Sequence, residues 1–252
     1  MGASHYLAGV HAVDSALTND ATHVALLLVV PGPHNPRLRK LMNKARDNTI
    51  EVREVSRAEL VRLVKTPHHQ GIGAAYETPR TLGEEALVTR VTDMIARGDA
   101  PLLLVLDTVQ DPRNFGACLR CADAAGVDAV VIAKNRAAPI TPAVRKTASG
   151  AAESVPIARV TNLARTLGKL AAAGVWLVGT SDSVERDCFS ADLCGPLALI
   201  VGNEEKGMRR LTREACDLLV RIPMAGSVSS LNVSAAAAVL LFEARRQRCA
   251  TR

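Results

Sequence analysis

Short apolar runs alternate with helical segments from residue 101 to the end of the chain, and this alternation constrains the fold most. The apolar or extended runs lie at residues 102–106, 129–132, 155–160, 175–178, 197–201 and 218–222. The helical segments span residues 114–125, 141–152, 162–173, 209–216 and 234–248. Runs that are apolar throughout are buried on both faces. The pattern therefore predicts an α/β fold with a mostly parallel sheet covered by helices.

Polar, glycine-bearing loops follow three of the predicted strands. They span residues 107–116, 202–207 and 225–234. The third loop is rich in serine and leads into a helix with alanines at 235–238, where another backbone can approach closely. Free N–H groups at a helix start favour polar ligands, and ligands of such sheets bind at the carboxyl ends of the strands. The three loops together predict a cleft.

Arg120 is the candidate functional cation of the first loop and the helix that follows it. It lies six residues after Asn114, nearly two helical turns, so both residues can line one edge of the cleft. Small and apolar residues surround it, which predicts a partly desolvated guanidinium that grips a carboxylate or a phosphate. An ion pair with Asp111, Asp123 or Glu204 explains the same pattern equally well.

Several chemistries are disfavoured by the sequence. Neither the glycine-rich dinucleotide fingerprint nor the P-loop pattern is present. All six histidines lie in the first 70 residues, which leaves the half with the polar loops without the imidazole of a Ser-His-Asp hydrolase. Cys118 and Cys121 form one C-x-x-C pair without a second pair at zinc spacing. We interpret them as small buried hydrophobes and predict no metal.

The first 76 residues predict a separate, small α/β domain. It contains a basic amphipathic helix at 37–46, interpreted either as a phosphate-facing surface or as a solvated face. Ser56 with Glu59, and Thr81 with Glu84, fit the capping-box pattern at two helix starts. We predict domains at 1–76 and 101–252, joined by a linker at 77–100 that holds a short helix.

Charge and cysteine usage indicate a partner and a compartment. The formal net charge is +6, which makes a polyanion a plausible partner, whereas the aromatic content of 2% disfavours base-stacking platforms. The apolar run at 24–30 is too short to span a bilayer, and no signal peptide opens the chain. With six cysteines, these features predict a reduced, cytoplasmic protein without a membrane segment.

At the three loops the sequence resembles the SpoU (TrmH) family of RNA ribose methyltransferases, within the SPOUT class. The motif-bearing stretches are NFGACLR at 114–120, LIVGNE at 199–204 with Gly207, and IPM at 222–224 through SSLNVSA at 229–235. The first domain, with GVHAV at 9–13 and HQGI at 69–72, is similar to the L30e-like RNA-binding domain of members that methylate a guanosine of bacterial 23S ribosomal RNA. The resemblance covers nearly the whole chain.

The resemblance implies a trefoil-knotted C-terminal domain, a homodimer and S-adenosylmethionine as methyl donor. A ribose 2′-oxygen would attack the donor's methyl group in line, with Arg120 either passing its proton to an RNA phosphate or anchoring that phosphate. The alternatives are a transfer RNA substrate and a noncatalytic RNA-binding factor in ribosome assembly. The catalytic residues implied are Arg120, Asn114, Glu204, Ser230 and Asn232. The donor-binding residues implied are Thr180, Gly202, Ile222, Met224 and Leu231.

Overall fold

The computed structural model describes residues 4–19, 21–32, 36–77, 81–135, 137–203 and 206–250. Contacts within the chain divide it into two compact units, Met1–Arg80 and Thr81–Arg252. The division falls inside the segment 77–100 that the sequence predicts to be a linker. Each unit has its own sheet and its own hydrophobic core.

The first unit is a mixed sheet with helices on its two faces. Its strands are β1 (Ser4–Ala8), β2 (Val24–Val29), β3 (Glu51–Glu54) and β4 (Ile72–Glu77), in the order β1-β4-β2-β3. Its helices are α1 (Val10–Asn19), α2 (Pro36–Asp47) and α3 (Arg57–Val64). Strands β2 and β3 pair in parallel, whereas β4 pairs antiparallel with both β1 and β2. This pairing places β2 and β4 at the centre of the sheet.

The second unit is built on a six-stranded sheet in which every pair of neighbours is parallel. The strands are β5 (Leu102–Leu106), β6 (Ala129–Ala133), β7 (Ile157–Val160), β8 (Trp176–Thr180), β9 (Leu197–Val201) and β10 (Leu218–Val220). Their order is β10-β8-β9-β5-β6-β7. All side chains of β5, β6 and β9 are buried, as expected for strands covered on both faces.

Helices cover both faces of this sheet. They are α4 (Glu84–Ala96), α5 (Pro112–Ala125), α6 (Pro142–Ala148), α7 (Ala151–Ser154), α8 (Leu163–Ala172), α9 (Arg210–Glu214) and α10 (Val233–Ala250). Residues of α5, α6, α7 and α10 form one core with alternate side chains of the strands. Residues of α4 and α8 form the other core. The predicted helix at 141–152 is divided into α6 and α7, because Ser149 and Gly150 both have positive φ angles, 53° and 100°.

The two predicted capping boxes have different outcomes. Ser56 caps α3, and its hydroxyl accepts a hydrogen bond from the Glu59 backbone N–H at 3.1 Å. The prediction for Thr81 is wrong, because α4 begins after Gly83 without a side-chain cap. Leu82 instead pairs with β7, where its N–H donates to the Ile157 carbonyl at 2.8 Å. Helix α4 buries Leu87 and Val91 in the core of the second unit and so belongs to that unit.

Candidate active site

A cleft of about 280 Å³ opens at the carboxyl ends of β8, β9 and β10. The two loops that follow β9 and β10 form most of its walls, as the position of ligands in parallel sheets predicts. Its lining includes all five side chains or backbone segments assigned to the methyl donor by resemblance: Thr180, Gly202, Ile222, Met224 and Leu231. Ser230, assigned to catalysis, also lines the cleft.

The loop after β9 is closed by backbone contact. Asn203 and Gly207 exchange two backbone hydrogen bonds, with N···O distances of 3.2 and 2.8 Å. A Cβ on Gly202 would lie 2.2 Å from the Gly207 carbonyl carbon and 2.3 Å from the Met208 nitrogen. Only a residue without a side chain fits there, and the close approach fixes the wall that the backbone presents to the cleft. Glu204 lies outside the described residues.

Charged groups at the cleft were not anticipated from the sequence. Asp182, Lys206, Arg213 and Arg221 line it, and the Arg213 guanidinium donates a hydrogen bond to the Ser183 hydroxyl at 2.8 Å. Residues 181–183 form a further polar loop at a strand end, after β8. Ligands of parallel sheets bind at the carboxyl ends of the strands, and this principle, which predicted the other loops, applies to the loop after β8 as well.

Asn114 and Asn232 lie in direct contact although 118 residues separate them. The Asn232 side-chain amide donates to the Asn114 carbonyl oxygen at 3.0 Å. The Asn232 carbonyl oxygen in turn accepts from the backbone N–H of Ser234 at 2.9 Å and from its hydroxyl at 2.7 Å. Asn232 thus caps the start of α10 and joins it to the start of α5. The structure brings these two predicted site residues together.

Arg120 is exposed, contrary to the prediction that its neighbours desolvate it. On α5, Phe115, Cys118, Leu119 and Ala122 are fully buried, and Arg120 lies on the opposite side of the helix. Among the described residues it forms no ion pair, so neither Asp111 nor Asp123 is its partner. Its guanidinium is open to a ligand. It is not among the residues that line the cleft.

Thiols near the cleft are protonated at neutral pH. Burial, together with the nearby Asp217 and Asp107 carboxylates, raises the pKa of the Cys216 thiol to about 12. Burial also raises the pKa of Cys121, against a smaller lowering by Arg120. The Cys121 thiol faces the Ser234 carbonyl at 3.8 Å, between α5 and α10. Cys118 is buried, as the sequence predicts, whereas Cys121 and Cys216 are half-buried. Because the nucleophilic form of cysteine is the thiolate, the raised pKa of Cys121 and of Cys216 disfavours nucleophilic chemistry at these two residues.

The described part of the chain contains neither a cluster of metal ligands nor a membrane-spanning helix. Its His, Cys, Asp and Glu side chains include no group of three or more that could hold a metal ion. None of its helices has the length and hydropathy needed to cross a bilayer.

The parallel sheet, the cleft at its carboxyl edge and the small preceding α/β unit define a protein of the SPOUT class. Residues 101–242 match the SpoU rRNA Methylase family, and residues 6–82 match the family domain described as RNA 2′-O ribose methyltransferase substrate binding. The chain belongs to the SpoU family of RNA methylases. The predicted fold class, a mostly parallel SPOUT domain after a small N-terminal α/β domain, is confirmed.

Similar proteins include curated enzymes and a solved structure. The chain is 49% identical over 244 residues to the 23S rRNA (guanosine-2′-O-)-methyltransferase RlmB of Vibrio cholerae, with 97% of each chain covered. It is 49% identical over 245 residues to the protein of the same name from Pseudomonas syringae, with 97% and 96% covered. The SpoU methyltransferase AviRb of Streptomyces viridochromogenes, solved with AdoMet, is similar with a TM-score of 0.76 and 28% identity over 98% of this chain and 91% of its own.

Proposed function

We propose that this protein transfers a methyl group from S-adenosylmethionine to the ribose 2′-oxygen of a guanosine in 23S ribosomal RNA. The observation that carries the proposal is the cleft, in which the donor residues implied by the sequence motifs lie together at one sheet edge. Membership of the SpoU family supports the reaction, and the identity to RlmB proteins over nearly the full chain supports the substrate.

The cleft fits the chemistry of the donor. Val201, Ile222, Leu231 and Val233 provide apolar walls suited to an adenine ring. Arg213 and Lys206 provide cations for a carboxylate, and Asp182 provides an acceptor for an ammonium group. When bound, S-adenosylmethionine supplies a methyl group activated by its positively charged sulfur.

The role proposed for Arg120 follows from its exposure and its fork of donors. A guanidinium keeps its proton at neutral pH, and two of its parallel N–H groups match two phosphate oxygens. In this role Arg120 anchors an RNA phosphate and so orients the ribose 2′-hydroxyl for attack on the methyl group. Asn114 and Asn232 join the start of α5, the helix that carries Arg120, to the start of α10, and Ser230 and Glu204 complete the proposed site.

The first unit is proposed to bind the RNA. On α2 the apolar residues Leu38, Leu41 and Ala45 are buried. The cations Arg37, Arg39, Lys40 and Arg46 are exposed on the same helix. Arg37 also lies 3.4 Å from the imidazole of the exposed His11. This arrangement supports the phosphate-facing interpretation of the basic helix, because most of its charges have no acidic partner in the described residues.

The assembly and the compartment are part of the same proposal. We propose a homodimer of the second unit in the cytoplasm, where 23S ribosomal RNA is made. Support comes from the family resemblance and from large apolar side chains that are exposed on this unit, including Phe242 on α10 at 50% and Leu211 on α9 at 58%. Light scattering on the purified protein is expected to give twice the mass of one chain, and the monomer mass at micromolar concentration contradicts the dimer.

The substitution Arg120→Lys tests the catalytic proposal. It retains the charge and removes the planar fork, so methylation of a 23S rRNA fragment is expected to fall by at least about 100-fold, or 2.7 kcal/mol. Calorimetry with S-adenosylmethionine is expected to give the wild-type affinity, because Arg120 does not line the cleft. Arg90→Lys, on the exposed side of α4, is the control and leaves both values unchanged. Wild-type turnover by Arg120→Lys contradicts the bidentate role.

The two alternatives predict different results with the wild-type protein. A noncatalytic RNA-binding factor binds RNA but gives no heat of binding with S-adenosylmethionine. A transfer RNA methyltransferase labels transfer RNA and leaves 23S ribosomal RNA unlabelled when the two compete for labelled donor. The match of residues 6–82 to a substrate-binding domain and the near full-length identity to RlmB favour ribosomal RNA.

A further inference from the structure

The buried carboxylate of Asp107 lies at the carboxyl end of β5, the strand beside β9. Asp107 is fully buried, and its backbone N–H donates to the Val201 carbonyl at 2.9 Å, which extends the pairing of the two strands. A buried carboxylate is costly unless its oxygens accept hydrogen bonds from cationic or backbone donors. The partners of Asp107 therefore indicate what it does.

Both oxygens of this carboxylate are bound by one residue, Arg209. The Arg209 backbone N–H donates to Asp107 Oδ2 at 2.8 Å, and its side-chain Nε–H donates to Asp107 Oδ1 at 2.7 Å. The two residues are 102 positions apart in the chain. Charge-assisted bonds to a fully buried acceptor are the stronger class of hydrogen bond, so this contact constrains the backbone at residue 209.

Arg209 lies at the end of the loop after β9, which forms one wall of the cleft. Gly202, Asn203, Lys206, Gly207 and Met208 all line the cleft. The loop begins at the end of β9 and is closed internally between Asn203 and Gly207. The bond to Asp107 fixes its far end to β5, so the loop is held from both sides.

Asp107 also begins the segment that leads to the proposed catalytic helix. Residues 107–111 connect β5 to α5, which carries Asn114 and Arg120. Asp107 is thus joined through the backbone to α5, and its carboxylate is joined by hydrogen bonds to Arg209 at the end of the loop after β9. We propose that the Asp107–Arg209 pair is a latch that positions the donor-binding loop relative to α5. Asp107 is a positioning residue in this role, since it does not line the cleft.

This inference rests on the proposed function for the identity of the ligand, and the geometry of the latch is independent of it. The substitution Asp107→Asn preserves shape and removes the charge. We expect the dissociation constant of S-adenosylmethionine, measured by calorimetry, to rise at least about tenfold, or 1.4 kcal/mol. In the ligand-free protein, hydrogen–deuterium exchange is expected to accelerate in the segment 202–209.

Asp128→Asn is the matched control, because Asp128 binds the first residue of β5, whereas Asp107 follows its last residue. The Asp128 carboxylate accepts from the Leu102 backbone N–H at 2.8 Å, where β5 begins. This substitution is expected to lower the melting temperature without changing donor affinity or exchange in the segment 202–209. Arg209→Lys keeps the charge and the backbone bond but loses the Nε–H bond. It is expected to give a smaller loss of donor affinity and remains a test if Asp107→Asn does not fold.

The outcomes separate the latch from the proposed function. If wild-type protein does not bind S-adenosylmethionine, the proposed function fails, and exchange in the segment 202–209 still tests the latch. If Asp107→Asn and Asp128→Asn lower the melting temperature alike while donor affinity and loop exchange stay at wild-type values, Asp107 only stabilises the fold and the proposal is overturned.

Discussion

At the scale of single residues, Asn232 makes two contacts whose roles can be tested separately. It caps α10, which is a structural role, and it binds Asn114, which is proposed to serve catalysis. Asn232→Ser retains an oxygen that can cap α10, because serine is as good an N-cap as asparagine. The shorter side chain does not reach Asn114. We expect the melting temperature to stay near the wild-type value while methylation falls at least about tenfold, or 1.4 kcal/mol. A lower melting temperature with methylation at the wild-type rate contradicts the proposed catalytic role of this contact.

Glu84 is expected to make stability depend on pH. Its carboxylate accepts hydrogen bonds from Lys169, Arg165 and Thr166 of α8, and these partners hold its pKa at about 2, below the ordinary value of 4.5. A lowered pKa contributes stability above pH 4.5, and this contribution is lost as pH falls toward 2. The loss follows because the protonated carboxyl gives up these charge-assisted bonds.

Thermal melts of Glu84→Gln test this account. The variant is expected to melt below the wild type at pH 7, by the equivalent of about 2 kcal/mol. The difference should narrow between pH 4.5 and pH 2. Glu85→Gln, an exposed neighbour on α4, is the control and is expected to match the wild type at every pH. A pH-independent difference for Glu84→Gln would assign the effect to packing.

The sequence predicts the residue types of the proposed site, whereas the environment that it predicts for Arg120 is wrong. Arg120 was predicted to be partly desolvated, but sequence neighbours on a helix point in different directions, and the small residues beside it face the core. In the first unit, the Gln70 Oε1 accepts a hydrogen bond from the Val10 backbone N–H at 3.1 Å, from 60 residues away. Such contacts join residues far apart in the chain, which spacing cannot reveal.

At the scale of elements, the loop after β9 depends on glycine at position 202. Gly202→Ala places a Cβ against the backbone of Gly207 and Met208, so the loop must open. We expect donor affinity to fall at least about tenfold, or 1.4 kcal/mol, by calorimetry. Gly168→Ala is the control on α8, where nothing lies within 4 Å of an added Cβ. It is expected to stabilise the protein by about 0.5–1 kcal/mol without changing donor binding. Unchanged affinity in Gly202→Ala contradicts the role of the loop.

Elements with clear apolar runs were predicted closely, and elements rich in small residues were not. Strands β5 and β9 have the predicted bounds, and β6 extends one residue beyond its predicted end. Strands β1 and β4 were not predicted. The glycine and alanines of β4 carry little strand propensity, and the strand forms because β1 and β2 flank it. The break between α6 and α7 lies at Ser149 and Gly150, a dipeptide typical of turns that the helical prediction for 141–152 did not take into account.

At the scale of the whole molecule, alternation predicted the parallel sheet but not its strand order. The order β10-β8-β9-β5-β6-β7 brings the ends of β8, β9 and β10 together and makes one cleft from residues up to 56 positions apart, Thr180 to Ala236. The periodicity of the sequence does not indicate the order of the strands in the sheet. The three motifs located the loops, and the second unit contains both the loops proposed to bind the donor and the Asn114–Asn232 contact.

Methyl transfer to 23S ribosomal RNA that lacks the modification tests the central claim most directly. After reaction with labelled donor, the RNA is hydrolysed in alkali, which cleaves next to a free 2′-hydroxyl and leaves a 2′-O-methylated linkage intact. The account predicts about one label per RNA, recovered in an alkali-resistant dinucleotide that begins with guanosine, and labelling at least about 100-fold slower with Arg120→Lys. Label recovered in mononucleotides would mean that the methyl group is on a base. That result, or no transfer by the wild-type protein, contradicts the account.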